Sequence, residues 1–334
     1  MRNTVAAAIG AAVLLTGCTG APAGVASPGV VPEALPTSHV LHGDRSWMTP
    51  DAAGQDLLYV SNGNGEVTVY RYWQRTLVGV LTDMTKPMGE CVDKTGDVYV
   101  ADFGAEKILE FAHGGTKPIA TFNDAPDSPY ACSIDPTSGK LAVANDDGSS
   151  AQGNIAVWTS ASSARTTYSD STLGNFQGCG FDGSGNLLAT NGVVDYSKKT
   201  GFAWLPKNGT KLININVPGP SSNWRWGAVM GVQWDGKFLA IDEEYAIYRI
   251  SLMHGQAYYV GTSEMFAEEE NNTGPYAIYN NTQGGQGTQV VGGMHGESVS
   301  EVAYWDYPAG GSEPIATITH GVDKAFGVAI SLKK

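Results

Sequence analysis

The chain has 334 residues, enough for a large core, with 20 Lys plus Arg against 33 Asp plus Glu and a formal net charge of −13. That balance argues against a nucleic-acid partner, because phosphate binding needs a basic surface. The 43 glycines, 15 tyrosines and 8 tryptophans suit short strands joined by tight turns.

The N-terminus reads as a targeting segment. Arg2 supplies a positive region and Val5 to Leu15 an apolar run, too short to span a bilayer as a mature helix. The run leads into Leu15-Thr16-Gly17-Cys18, which resembles the bacterial lipoprotein lipobox. The resemblance implies a signal peptide over residues 1–17, cleavage before Cys18, and lipid on its sulfur (palmitate) and new N-terminus. Thr19 to Gly43 is rich in Ala, Pro, Gly and Ser and reads as a flexible tether, about 25–30 Å in mean span. One globular domain is expected over residues 44–334, exported, monomeric and anchored to the cell membrane or outer membrane.

From Asp56 onward the chain repeats a four-strand unit. Copy one has a first strand from Pro87, a turn Asp93-Lys94-Thr95-Gly96, and strands over 97–102, 108–111 and 118–122. Copy two starts at Pro129, with strands over 140–145 and 154–158. Copy three holds Gly178 to Asp182, then 186–191, 201–205 and 211–217. Copy four holds Met230 to Asp235, then 237–242, 246–250 and 257–260. Copy five starts at Pro275, with 288–292 and 301–307 following. The turn Phe111-Ala112-His113-Gly114-Gly115-Thr116-Lys117-Pro118 recurs as Tyr307-Pro308-Ala309-Gly310-Gly311-Ser312-Glu313-Pro314. Copy six is split. Its first strand is Ala325-Phe326-Gly327-Val328-Ala329-Ile330-Ser331, and its other three stand at the opposite end, over 56–61, 66–71 and 77–81. Joining the two ends closes a ring. The expected fold is all-β: a six-bladed β-propeller of four-stranded antiparallel blades with 3+1 closure.

The pattern Pro-x-Gly-x-x-x-Asp followed by Gly-x-Val-Tyr-Val-Ala-Asp, carried by Pro87 to Asp102, resembles the NHL-repeat and senescence-marker/gluconolactonase-type propellers. The likeness covers Asp56 to Ser331, and within it the chain looks like bacterial NHL-type lipoproteins. In gluconolactonase relatives a Glu, an Asn and an Asp hold Ca²⁺ at the channel mouth, where the metal polarises a lactone carbonyl. The resemblance implies Glu90, Asn145, Asn191 and Asp242 as the matching ligands. Those relatives place an acid in Pro-Asp-Gly before a first strand. Here the triplets are Pro87-Met88-Gly89, Pro129-Tyr130-Ala131, Phe176-Gln177-Gly178 and Val229-Met230-Gly231, with no acid in the middle.

Two faces follow from the repeat. Turns between first and second strands are short, whereas the opposite face carries the insertions 146–153, 192–200, 218–228, 263–274 and 293–300. Long loops on one face mark a binding face. The second strands end there in Asn62, Asp102, Asn145, Asn191 and Asp242. These are either acceptors for the adjoining turns or a ring of oxygens able to hold a hard cation such as Ca²⁺. Glu90 is the one charged residue in a column otherwise filled by Cys132, Cys179, Val232, Ile278 and Val328, a candidate ligand or acid/base. Trp224-Arg225-Trp226 either stacks on a sugar or cation, or folds inward as a lid between blades. Glu268-Glu269-Glu270 is read as a solvated loop, with attraction of a cationic partner as the second reading, and His295 as a lone loop histidine. Cys132 and Cys179 share a column in adjacent repeats and are the expected pair if a disulfide forms; otherwise Cys91, Cys132 and Cys179 are small buried residues. With no nucleophile triad in the sequence, the reading is a lipid-anchored module that binds an envelope protein, a small molecule or a carbohydrate through its loop-rich face. The alternative is a Ca²⁺-dependent lactonase.

Overall fold

The alternation of β-branched and aromatic residues with small ones sends successive side chains to opposite faces of each strand, so every sheet must be covered on both sides. The computed structural model describes residues 45–147, 152–192, 200–229, 231–243, 245–265, 272–279, 288–295 and 300–334. It forms six antiparallel sheets. Blade one is Pro87–Val92, Val98–Asp102, Lys107–Phe111 and Pro118–Asn123. Blade two is Pro129–Ile134, Leu141–Asn145, Ile155–Trp158 and Thr166–Tyr168. Blade three is Gly178–Phe181, Leu187–Thr190, Phe202–Leu205 and Ile213–Ile215. Blade four is Val232–Trp234, Leu239–Glu243, Ala246–Met253 and Gln256–Glu264. Blade five is Asn272–Tyr279, Gln289–His295, Ser300–Asp306 and Ala316–Ile318.

Blade six joins the chain ends as the repeat pattern requires. Gly327–Ser331 pairs antiparallel with Leu57–Ser61, in the register Leu57↔Ser331 to Ser61↔Gly327, and Val67–Arg71 and Thr76–Leu81 follow outward. A fifth strand that the sequence reading did not anticipate, Trp47–Met48, covers the outer edge of this blade. It can do so because Gly79 carries no side chain; a Cβ there would stand 2.2 Å from Met48 Sδ.

Several strand lengths differ from expectation. The last hairpin of blade four extends to Met253 and Glu264, joined by His254 and Gly255 at φ 52° and 75°. That two-residue turn matches the strand twist and lets pairing continue to Met253↔Gln256. The outer strand of blade three shrinks to Ile213–Ile215, on an exposed edge where little packing holds it.

The short turns have a common chemistry. Asp93, Asp135, Asp182 and Asp235 each end a first strand and accept the N–H two residues on, from Thr95, Thr137, Ser184 and Lys237, at 2.7 to 2.8 Å. The following Gly96, Gly139, Gly185 and Gly236 take positive φ to complete the reversal.

The core is distributed rather than central. Among the described residues six apolar clusters appear, one between each pair of neighbouring blades. Strand parity sorts side chains among them. Leu57 and Tyr59 face Val98 and Val100 of blade one, whereas Leu58 and Val60 face Tyr279 and Val291 of blade five. Leu41–Lys334 is one compact unit.

Parity also decides the disulfide, and here the expected pair is corrected. Cys91 and Cys132 are bonded, with Cα atoms 5.6 Å apart, and Cys179 is a free buried thiol. Cys132 and Cys179 share a column, so both point the same way round the ring. Cys132 faces the gap toward blade one and Cys179 the gap toward blade two. They never meet. Cys91 lies one position on, points the other way, and so faces Cys132 across one gap.

Candidate functional site

The first strand of every blade is the inner edge of its sheet, and these six edges surround a cavity of about 470 Å³. An inner edge has one row of N–H and C=O groups without a sheet partner, and these need water, side chains or a ligand. Two side chains supply part of this across blades. Phe181 N–H donates to Ser133 Oγ at 3.1 Å, and Ile278 N–H donates to Gln233 Oε1 at 2.9 Å.

The two ends of the cavity differ. Its wall runs on into the short turns at one end, through Asp93, Lys94, Gly96, Pro136 and Leu332 to Lys334. At the other end it stops at Gly89, Ala131, Cys179, Gly231 and Tyr276, within the strands. The cavity therefore opens on the turn face. Met88 and Tyr130, the next residues up, close the loop end; Met88 is buried and Tyr130 half-buried. Burial pushes the Tyr130 hydroxyl up to about 12, and the Asp146 and Asp242 carboxylates add to the shift. Phe103 meets Tyr130 edge-on at 6.4 Å, and Lys86 Nζ lies 4.6 Å from the centre of the Phe103 ring.

Glu90 does line the cavity, but its carboxyl turns aside into the gap between blades six and one. Oε1 accepts from Ser61 Oγ at 2.9 Å, and Oε2 is buried with no hydrogen-bond partner among the described residues. Burial drives its pKa well above the ordinary carboxylate value, and the Ser61 hydrogen bond opposes this only in part. A neutral carboxylic acid is the form this pocket favours.

The Asn and Asp side chains at the second-strand ends do not converge on Glu90. Each bonds to the loops beside it. Asn62 Oδ1 accepts from Asp323 N–H at 2.8 Å, and Asp102 Oδ1 accepts from the N–H groups of Thr85 and Lys86 at 3.0 and 2.9 Å. Asp242 accepts from Gly231 N–H at 2.6 Å. Asn145 Nδ2 donates to Asn154 Oδ1, and Asn191 Oδ1 accepts from Gly201 N–H. Asn62, Asp102, Asn191 and Asp242 thus act as acceptors for adjoining turns, whereas Asn145 donates, and its Oδ1 is buried with no hydrogen-bond partner among the described residues. Among the described residues no group of three or more His, Cys, Asp and Glu is placed to hold a metal ion.

On the loop-rich face Trp224 and Trp226 are half-buried and Arg225 is exposed. Trp226 Nε1 donates to Val217 O at 2.8 Å, and its ring packs 5.3 Å from Phe202 and 5.1 Å from Tyr248. Trp224 leans on the same Tyr248 at 5.0 Å. The motif is thus a lid over the junction of blades three and four with one cation on top. Cys18 and Glu268 to Glu270 lie outside the described residues; His295 ends a strand of blade five.

Sequence reasoning missed Tyr130 and the lysines at the open end. The signal for Tyr130 was present, since it replaces the expected acid in the triplet before a first strand.

No family profile and no curated protein matches the chain. Solved structures do resemble it. A chain of the nidogen/laminin complex aligns at 16% identity and TM-score 0.60, over 84% of this chain and 99% of that one. The Cps50 (Swd1) β-propeller domain of Myceliophthora thermophila aligns at 10% identity and TM-score 0.55, over 87% and 90%. A functionally unknown protein from Desulfotomaculum acetoxidans aligns at 10% identity and TM-score 0.55, over 84% and 100%. At these identities the likeness is one of fold, and the chain is a six-bladed β-propeller.

Proposed function

We propose that this propeller is an interaction module of the bacterial envelope, held at a membrane by lipid on Cys18, which presents its loop-rich face to an envelope protein or a carbohydrate-bearing partner. One observation carries the choice over catalysis. Tyr130 and Met88 close the loop end of the channel, where a metal-dependent lactonase needs an open mouth ringed by free oxygens. The side chains of Asn62, Asp102 and Asp242 serve instead to fix the loops to the blades, and a fixed loop platform suits recognition. Trp224, Arg225 and Trp226 form its most aromatic part. Membership of the NHL-repeat and gluconolactonase-like superfamily remains part of the proposal, on the motif at Pro87 to Asp102. Ca²⁺ belongs to the alternative reading, whose support is the pair of buried oxygens, Glu90 Oε2 and Asn145 Oδ1, that have no hydrogen-bond partner among the described residues.

The test uses the lipid-bearing protein in its own cells. A photocrosslinking residue at Arg225 is expected to give a discrete protein or glycan adduct, and the same residue at Lys117, on the turn face, none. Equal adducts from both positions, or none from Arg225, overturn the reading. So does stoichiometric Ca²⁺ in the purified protein together with turnover of a lactone. Labelled palmitate is expected to enter the wild type and not Cys18→Ala.

A further inference from the structure

The central cavity opens away from the loop-rich face, and its chemistry is that of a separate site. Its volume, about 470 Å³, falls within the range of small-ligand pockets. Ile134, Phe181, Val232, Trp234 and Ile278, contributed by four blades, give it the apolar part of a mixed wall, the rest being polar side chains and backbone. The one acid in its depth, Glu90, favours the neutral form, so the interior does not repel an anion. The Cys91–Cys132 bond removes two thiols from the same wall.

The rim has the opposite character to the chain as a whole. Lys94, Lys333 and Lys334 stand exposed at the open end of a protein with net charge −13. Among the described residues none of the three forms an ion pair. Asp93, the acid in the rim, has its oxygens engaged in its own turn, by Thr95 N–H, Thr95 Oγ1 and Asp97 N–H at 2.7 to 2.9 Å.

We propose that the cavity is a binding site, entered from the turn face, for a small amphiphilic carboxylate: the head group lies among Lys94, Lys333 and Lys334, and the aliphatic or aromatic body lies inward against Ile134, Phe181 and Trp234. A tail of this kind displaces water from the apolar side chains, and the head group keeps its charge at the solvent edge. The closed loop end sets the depth, because Tyr130 stops a longer body from passing through.

Octanoate is the probe, with octyltrimethylammonium and inorganic phosphate as controls, followed by calorimetry and by Trp234 fluorescence. Octanoate is expected to bind saturably at one site, with octyltrimethylammonium and phosphate at least tenfold weaker. The double variant K94E/K333E is expected to lose at least tenfold in affinity, and Lys324→Glu, a charge reversal on the opposite face, to lose none. Ile134→Trp fills the cavity and is expected to abolish binding, while its thermal melt reports that it folds. No saturable octanoate binding to the wild type, equal binding of the cation, phosphate as tight as octanoate, or full affinity in K94E/K333E overturns the proposal. None of these outcomes touches the crosslinks expected from Arg225, so this site and the loop face stand or fall separately.

Discussion

The gap between blades six and one and the gap between blades one and two are built on the same plan and closed by different chemistry. Glu90 and Cys132 occupy one column of the repeat, and each points back toward the preceding blade. Cys132 finds Cys91 there and forms a covalent bond. Glu90 finds Ser61 and forms a hydrogen bond that leaves one carboxyl oxygen unpartnered among the described residues. The difference teaches that the repeat fixes direction, whereas the residue opposite fixes what the junction does. One junction is indifferent to pH and sensitive to reductants; the other is the reverse. The gap that holds Glu90 is also the gap beside the closing strand, where the ring depends on a non-local pairing.

The strongest way to break the comparison is to remove the closing strand. A chain ending at Lys324 leaves Leu57–Ser61 without its inner neighbour and uncovers the clusters on both sides of blade six. It is expected to lose the cooperative thermal transition altogether, as followed by circular dichroism; a truncated chain that melts like the full one refutes the closure. Next comes the covalent junction. Cys91→Ser or Cys132→Ala opens a loop defined by a separation of 41 residues, and is expected to cost about 4 kcal/mol in urea unfolding. Dithiothreitol should lower the wild type by a similar amount and leave either variant unmoved. Apart from Cys18, thiol labelling should find no reactive group in the native protein and one after denaturation, that of Cys179.

The acid junction gives a smaller effect with a signature of its own. Because burial raises the Glu90 pKa in the folded state, folding takes up a proton between the ordinary carboxylate value and the raised one. The stability linked to Glu90 is therefore complete below about pH 4.5, the unfolded value, and is lost as pH rises through the folded one. Glu90→Gln is expected to flatten that decline, so that the variant is the more stable protein at pH 8 in paired urea curves. An unchanged pH profile removes the neutral-acid assignment. The smallest effect belongs to Ser61→Ala, which withdraws the hydroxyl from Oε1 and is expected to cost about 1 kcal/mol. That cost should be largest above neutral pH, where the acceptor is charged, and smaller and independent of pH in the Glu90→Gln background, where the amide oxygen still accepts from Ser61.

Much of the ring was legible in the sequence because its determinants are local or periodic. The Asp and Gly of each short turn lie within five residues of each other, and the copy at Gly327–Ser331 could be matched to its missing partners by pattern alone. The cysteine pairing was legible in principle, since Cys91 stands one position off the shared column. Sharing a column means parallel pointing rather than proximity, which separates Cys132 from Cys179 and sets Cys91 opposite Cys132. The Trp47–Met48 strand was not legible: two residues carry no period, and the room they need comes from Gly79, over thirty positions away. The closed channel was not legible either. That Tyr130 reaches the neighbourhood of Asp242 depends on the number and tilt of the blades, which no single repeat encodes.

The ring closure bears on the order in which the molecule is made. Leu57–Ser61 is synthesised early and waits for a neighbour that emerges only after all five other blades, so no partial chain can finish the circle. Until then the nascent protein remains an open arc with a raw seam on each side.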